Sequence, residues 1–247
     1  MGDYSNFIAM PAADWVQHGI TTLAFDQRGF GQSKDFGLWA GGDVMRRDFA
    51  DAMMAARAAY PHTPVYALGE SMGGAVVLSA LADPGTPRPD GVILVAPAVW
   101  SRGDMPMTYR TALWLSAHTF PGWHVSGRGV VQIWPSDNIP MLRAYSRDPL
   151  VQKDTRADAV WGLVNLMDDA RHAPEHLAAG TPPILLLYGK NDQVIPAVPT
   201  EAVVAALGRK AEVHRYEHGY HMLLRDLEGP AVWKDIMDWI SAPNKPS

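Results

Sequence analysis

The sequence contains no cysteine. Disulfide bonds, thiolate zinc sites and a cysteine nucleophile are therefore excluded for this chain. It also lacks any apolar run approaching the ~20 residues that a membrane-spanning helix needs. Its first residues, MGDYSNFIAM, have no basic stretch followed by an apolar one, and Asn6 stands where a myristoylation signal requires Ser or Thr. We therefore expect a cytoplasmic protein.

An excess of positive charge is missing as well. The formal net charge is −5, so the chain has no broad cationic surface for phosphate backbones and we expect no nucleic-acid partner. Hydrophobic residues make up 47% and charged residues 19% of the sequence, which is typical of a globular protein with a substantial core.

Apolar runs with strand character alternate along the chain with segments of helical periodicity. The predicted strands cover residues 20–25, 65–68, 91–95, 184–188 and 212–216, and the predicted helices cover residues 10–17, 43–60, 75–81, 202–207 and 230–240. Alternation of this kind predicts an α/β fold in which helices flank both faces of a mostly parallel sheet.

Residues 100–176 break the alternation and are rich in Trp and Met. The segment predicts a helical insertion between two parts of a core domain, residues 1–99 and 177–247. One interpretation is a packed helical subdomain with its own small core. We favour the other, a cap over an active site, because ligands of α/β proteins bind above the strand ends where this segment is inserted. The candidate substrate-binding residues are Trp100, Met105, Trp114 and Trp134.

The segment Gly-Glu-Ser-Met-Gly-Gly at residues 69–74 fits the pattern G-x-S-x-G, with a predicted strand before it and a predicted helix after it. A sharp turn there exposes the hydroxyl of Ser71 as a nucleophile, and small residues on either side leave room for the crossing strand and helix. The backbone N–H of Met72 then faces a developing oxyanion. The alternative is a glycine-rich helix entry in which Ser71 is an ordinary capping residue.

A nucleophilic serine needs a base and a group that orients the base. Asp192 follows the predicted strand at 184–188, and His221 lies between the last predicted strand and the last predicted helix, which is the chain order expected for such a triad. An imidazole also suits a general base at neutral pH. The competing carboxylates are Asp226 and Glu217, and the competing histidines are His214 and His218.

Several motifs together resemble the monoacylglycerol lipase/lysophospholipase-like branch of the α/β-hydrolase superfamily. They are DQRGFGQS, GESMGG, DNIPMLRAYSRDPLV, YGKNDQVIP and GYHMLL, and they span nearly the whole chain. The resemblance implies an α/β-hydrolase fold and a serine esterase or lipase of lipid metabolism. Such an enzyme cleaves carboxylic esters, such as monoacylglycerols or lysophospholipids, without a metal or organic cofactor. The resemblance also supports Ser71, Asp192 and His221 as the catalytic triad and Met72 as an oxyanion donor. We also expect transient contact of the cap with a lipid or membrane surface.

The start of the chain departs from this family. Members usually carry further strands that end in a His-Gly motif, and residues 1–5 resemble those that directly follow it. The second oxyanion N–H would then belong to Met1. Three arrangements remain open: the natural start lies upstream, the two strands flanking the gap pair directly, or a second chain in a homodimer covers the edge. We expect the missing segment to weaken stability or catalysis.

Two rival functions also remain open. Residues 172–176, His-Ala-Pro-Glu-His, match the zinc peptidase pattern H-x-x-E-H, although Pro174 disfavours a continuous helix through both histidines. The second rival is a catalytically impaired remnant or a ligand-binding module that kept the fold and the pocket.

Overall fold

The central sheet contains four parallel strands in a computed structural model that describes residues 1–125 and 133–242. The strands among these residues are β1 (Tyr66–Glu70), β2 (Gly91–Val95), β3 (His124–Val125), β4 (Thr155–Arg156), β5 (Ile184–Gly189) and β6 (Ala211–Tyr216). The order in the central sheet is β1-β2-β5-β6. The helices are α1 (Ala9–Trp15), α2 (Gly42–Ala59), α3 (Met72–Leu81), α4 (Met107–Thr119), α5 (Ile139–Arg147), α6 (Ala157–His172), α7 (Ala197–Leu207) and α8 (Gly229–Ser241).

Side chains of the strands alternate between two hydrophobic clusters, one on each face of the sheet. In β5, Ile184, Leu186 and Tyr188 join the cluster that includes residues of α2, α3, α6 and α7. Leu185 and Leu187 join the opposite cluster, which includes residues of α1 and α8. Because both faces are covered, every residue of β5 is buried, as expected for a strand inside a parallel sheet. The predicted α/β fold is confirmed.

The prediction of a strand at residues 20–25 is wrong. The segment pairs with no other segment among the described residues, and Leu23 and Phe25 leave 61% and 46% of their surface exposed. Its composition favours a strand, but a strand also requires a neighbour that accepts and donates ladder hydrogen bonds. The suggestion that this segment pairs directly with the strand at 65–68 is wrong for the same reason, since β1 pairs only with β2 in the described part of the sheet.

The segment at residues 100–176 is largely helical, and the structure adds one short antiparallel ladder between β3 and β4. Neither α4 nor α5 contains a buried residue. In contrast, α6 buries Val164, Leu166 and Met167 in the same cluster as α3. Within the described part of the insertion, α6 is therefore the helix whose buried side chains pack on the main core. The division into a core domain and a cap at residue 100 and residue 176 stays a prediction.

None of the described helices combines the length and the apolarity needed to cross a bilayer.

Candidate active site

Ser71 occupies a sharp turn between β1 and α3. Its backbone has φ 52° and ψ −116°, a conformation that is costly for a residue with a side chain, by about 1–3 kcal/mol. Backbone hydrogen bonds hold it there: the Ser71 N–H donates to Val95 O at 2.9 Å, and Ser71 O accepts from Ala98 N at 2.9 Å and from Ala75 N at 3.1 Å. The hydroxyl makes no capping hydrogen bond to α3, so it is not an ordinary helix cap.

The glycines around Ser71 differ in how much space they have. A Cβ added to Gly69 would lie 2.5 Å from the backbone carbonyl carbon of Gly73, and one added to Gly74 would lie 2.9 Å from Pro97 Cβ. A Cβ added to Gly73 would have its nearest neighbour, Gln27 Nε2, at 3.8 Å. The crossing of β1 and α3 therefore requires glycine at 69 and 74, whereas residue 73 contributes the backbone against which Gly69 packs.

Asp192 and His221 form a buried pair. His221 Nδ1 lies 2.8 Å from Asp192 Oδ2, and the two side chains are 8% and 0% exposed. The other carboxylate oxygen of Asp192 accepts hydrogen bonds from the N–H groups of Val194, at 2.7 Å, and Ile195, at 3.0 Å. These bonds fix the carboxylate in its loop, so that it orients one nitrogen of the imidazole and leaves the other available as a base.

The competing residues make other contacts. His218 is exposed, and His214 lies within β6, where its ring contacts Glu212 at 2.8 Å and Asp235 at 3.5 Å. Glu217 pairs with Lys190 on the surface. Asp226 accepts a hydrogen bond from the Tyr220 N–H at 2.7 Å. Of the candidate pairs, the structure therefore brings together Asp192 and His221.

All three predicted triad residues lie at one edge of the sheet. Ser71 follows β1, Asp192 follows β5 and His221 follows β6, and the carboxyl ends of parallel strands share an edge. The loops after β5 and β6 are joined by hydrogen bonds from Lys190 N to Tyr216 O and from Asn191 N to Gly219 O, both 2.9 Å. The sheet and its loops thus bring Ser71, Asp192 and His221 to the same edge, and their role as a catalytic triad stays a prediction.

The predicted oxyanion donors differ in their surroundings. Met72 is the first residue of α3, where a backbone N–H has no acceptor within its own helix. Met1 packs against the same hydrophobic cluster that contains Met72. The role of both residues in binding an oxyanion stays a prediction.

The four predicted substrate-binding residues fall into two groups. Trp100 and Met105 are partly buried and pack against the main hydrophobic cluster. Trp114 lies on α4 with 50% of its surface exposed, and Trp134 is 43% exposed, with its backbone N–H donating to Gln193 Oε1 at 3.1 Å. Contact of these side chains with a substrate stays a prediction.

Two groups at the site were not predicted from the sequence. Glu70 and Arg225 form a buried ion pair beside Ser71 and His221. The residues before α5 also bind the histidine loop, since Met222 N donates to Pro135 O at 2.8 Å and Asn138 Nδ2 donates to Arg225 O at 2.9 Å. Glu70 stands inside the G-x-S-x-G pattern, but the spacing along the chain gives no signal of its partner.

The H-x-x-E-H segment does not have the geometry of a zinc site. His172 ends α6, and His176 belongs to the separate 3-10 turn Ala173–His176, so the two histidines do not share one α-helix. His172 Nδ1 lies 3.2 Å from Glu175 Oε1 with both side chains largely exposed. Among residues 1–125 and 133–242, no three His, Asp or Glu side chains are grouped as metal ligands.

Comparison with known proteins agrees with this geometry. Residues 1–228 match the profile of the family Hydrolase_4, described as serine aminopeptidase, S33. The chain belongs to this family. Its similar relatives include a monoacylglycerol lipase of Mycolicibacterium smegmatis, with 26% identity over 90% of this chain and 78% of that protein. A monoglyceride lipase of Rattus norvegicus has 26% identity over 90% of this chain and 73% of that protein.

Solved structures with low sequence identity to this chain share its fold. The monoacylglycerol lipase of Paleococcus ferrophilus superposes with a TM-score of 0.79 at 20% identity, covering 97% of this chain and 90% of that one. A soluble variant of the Saccharomyces cerevisiae monoglyceride lipase, in complex with a substrate analogue, has a TM-score of 0.81 at 16% identity and covers 98% and 83%. The predicted α/β-hydrolase fold is confirmed. The family and the curated relatives together confirm the predicted assignment to carboxylic ester hydrolases.

Proposed function

We propose that this protein hydrolyses carboxylic esters of lipid type, such as monoacylglycerols or lysophospholipids, through an acyl-enzyme on Ser71. The observation that carries the proposal is the buried Asp192–His221 pair, at 2.8 Å, at the same sheet edge as the strained Ser71 turn. The names of the similar relatives, monoacylglycerol lipase and monoglyceride lipase, favour a monoacylglycerol as substrate.

The reaction follows from the roles of the three side chains. His221 takes the proton of the Ser71 hydroxyl while Oγ attacks the ester carbonyl. Asp192 keeps the imidazole oriented and stabilises the imidazolium. The Met72 N–H, together with the predicted contribution of Met1, stabilises the oxyanion of the tetrahedral intermediate. When this intermediate collapses, His221 protonates the departing alcohol, and a water molecule activated by the same histidine then releases the fatty acid.

Apolar side chains of the cap support a lipid substrate. On and around α4 they stand largely exposed; the set comprises Met107, Tyr109, Trp114, Leu115, Phe120 and Trp123. A cluster of this kind favours transient contact with a lipid surface, from which a single acyl chain can be taken up. The predicted cytoplasmic location and the homodimer stay predictions.

The test is hydrolysis of p-nitrophenyl butyrate and of monoacylglycerols by the wild-type protein and by Ser71→Ala. We expect the substitution to lower kcat by about 10⁴-fold or more. The matched control is Ser79→Ala, which should keep the turnover of the wild type. Ser79 is a buried serine of α3 whose hydroxyl donates to Val76 O. A serine-directed fluorophosphonate should label the wild type once and Ser71→Ala not at all.

Other outcomes would favour other functions. Hydrolysis that persists in Ser71→Ala would refute the acyl-enzyme on this residue. A folded wild-type protein that is neither labelled nor active would favour the ligand-binding module. Turnover of amino-acid p-nitroanilides but not of esters would favour a peptidase, in line with the description of the family.

A further inference from the structure

Two oppositely charged side chains are buried next to the proposed triad. Glu70 ends β1 and directly precedes Ser71, and Arg225 ends the 3-10 turn Leu223–Arg225 that follows His221. Their side chains are 9% and 8% exposed, and Arg225 Nη2 lies 3.5 Å from Glu70 Oε2. The pair therefore links the strand that carries the nucleophile to the loop that carries the base.

Arg225 is held by three other segments. Its guanidinium donates to the carboxylate of Asp3 and lies 5.5 Å from the ring centre of Tyr145 on α5. Its backbone carbonyl accepts a hydrogen bond from Asn138 Nδ2 at 2.9 Å. Because these contacts fix Arg225 from several sides, it provides a rigid anchor for the histidine loop.

Glu70 keeps one carboxylate oxygen without a hydrogen-bond partner in the described part of the chain. This oxygen, Oε1, is buried. A buried carboxylate is costly unless other charges compensate it. The titratable and charged groups that face it are Arg225, His221, Asp3, Asp226, Tyr145 and the amino group of Met1.

The charges around Glu70 act in opposite directions on its pKa. Burial raises the pKa of Glu70, and the charges of Asp3 and Asp226 raise it further, whereas the positive charges of Arg225 and of protonated His221 lower it. The ion pair with Arg225 thus opposes the effect of burial on Glu70.

We propose that Glu70 and Arg225 are a positioning pair for ester hydrolysis: their ion pair ties the loop that carries His221 to the strand that carries Ser71, so that the base is held in position for the nucleophile. The inference rests on the function proposed above, because the position of His221 matters for turnover only if His221 is the base for Ser71. It assigns a task to the second residue of the Gly-Glu-Ser-Met-Gly turn.

Two variants break the ion pair from opposite ends. Glu70→Gln removes the carboxylate and keeps its shape. Arg225→Met removes the guanidinium and keeps much of the apolar side chain. For each variant we expect kcat for a p-nitrophenyl ester to fall about tenfold with KM unchanged, because a displaced base slows the chemical step and not substrate binding. Arg225→Lys keeps the positive charge and should recover part of the loss. The control is Glu217→Gln, an exposed carboxylate paired with Lys190 near the same loop, which should change neither kcat nor KM.

A second measurement does not depend on turnover. Hydrogen exchange of the backbone amides in the histidine loop, residues 219–226, should be faster in Glu70→Gln and in Arg225→Met than in wild type, and unchanged in Glu217→Gln. If the wild type lacks Ser71-dependent hydrolysis, the proposed function fails, while hydrogen exchange still tests the pair. Variants that lose only thermal stability, with the kcat, KM and loop exchange of the wild type, would overturn the inference.

Discussion

Asp226 shows how burial changes the chemistry of a single residue in the histidine loop. Its Oδ2 accepts a hydrogen bond from Tyr220 N at 2.7 Å, while Oδ1 is buried without a partner among the described residues. Burial raises the pKa of Asp226 to about 6, although hydrogen bonds from Ser136 and from the Tyr220 N–H oppose the shift. The folded protein therefore favours the neutral acid at this position.

This environment predicts a pH dependence of stability. Because the pKa of Asp226 is higher in the folded state than in the unfolded chain, its contribution is fully present below about pH 4 and is lost as the pH rises through about 6. Asp226→Asn is uncharged at every pH and keeps an acceptor for Tyr220. We expect its Tm, relative to wild type, to rise between pH 4.5 and pH 7.5, as measured by calorimetry at about six pH values.

The control for Asp226→Asn lies nearby. Glu228→Gln changes an exposed carboxylate two residues away, and its Tm difference from wild type should stay constant over the same range. A constant difference for Asp226→Asn as well would show that Asp226 does not carry the predicted pH dependence.

At the scale of secondary-structure elements, the crossing of β1 and α3 decides where Ser71, the proposed nucleophile, is placed. Gly69 packs directly on the backbone of Gly73, so the end of the strand and the first turn of the helix touch without side chains between them. Ser71 is held in its strained conformation by this contact and by the hydrogen bonds from its neighbours.

Two glycine substitutions test whether a position of the G-x-S-x-G turn needs glycine because a Cβ would not fit there. Gly69→Ala should lower the free energy of unfolding by about 1–3 kcal/mol, because its Cβ meets fixed backbone at 2.5 Å. Gly73→Ala has open space and a helical position, so its stability should be unchanged or raised by up to about 1 kcal/mol. Urea denaturation checks both, and equal losses in the two variants would contradict the packing argument.

Most elements could be predicted from the sequence. The helix predicted at 43–60 is α2, and the strand predicted at 91–95 is β2, because strong periodicity and flanking glycine or proline mark their limits. The segment at 20–25 shows the limit of such predictions. Its β-branched residues favour an extended chain, but strand pairing depends on a neighbour that is remote in sequence.

At the scale of the whole molecule, α4 and the residues that directly follow it carry a run of exposed apolar side chains. α4 contains no buried residue, and Trp114 on this helix and Phe120 directly after it are 50% and 66% exposed. These side chains contribute little to the packed interior, so their retention on the surface fits the proposed contact with lipid.

The exposed apolar surface on and around α4 predicts a difference between dispersed and soluble substrates. The double substitution Trp114→Ser and Phe120→Ser should leave Tm within about 1–2 °C of wild type. It should lower turnover of vesicle-bound monoacylglycerol several-fold and leave turnover of soluble p-nitrophenyl acetate unchanged. Met54→Ser, at an equally exposed apolar position on α2, is the control and should affect neither substrate. Equal turnover of the vesicle substrate by wild type and double variant would refute the proposed lipid contact.

The sequence by itself determined the alternating elements, the turn around Ser71 and the chain order of Ser71, Asp192 and His221, because periodicity and short motifs are local. Only the tertiary structure decided which carboxylate pairs with His221, which glycines need to be glycine, and that Glu70 meets Arg225. Those contacts join residues far apart in the chain, and their geometry is set by strand order and loop packing, which no local pattern encodes.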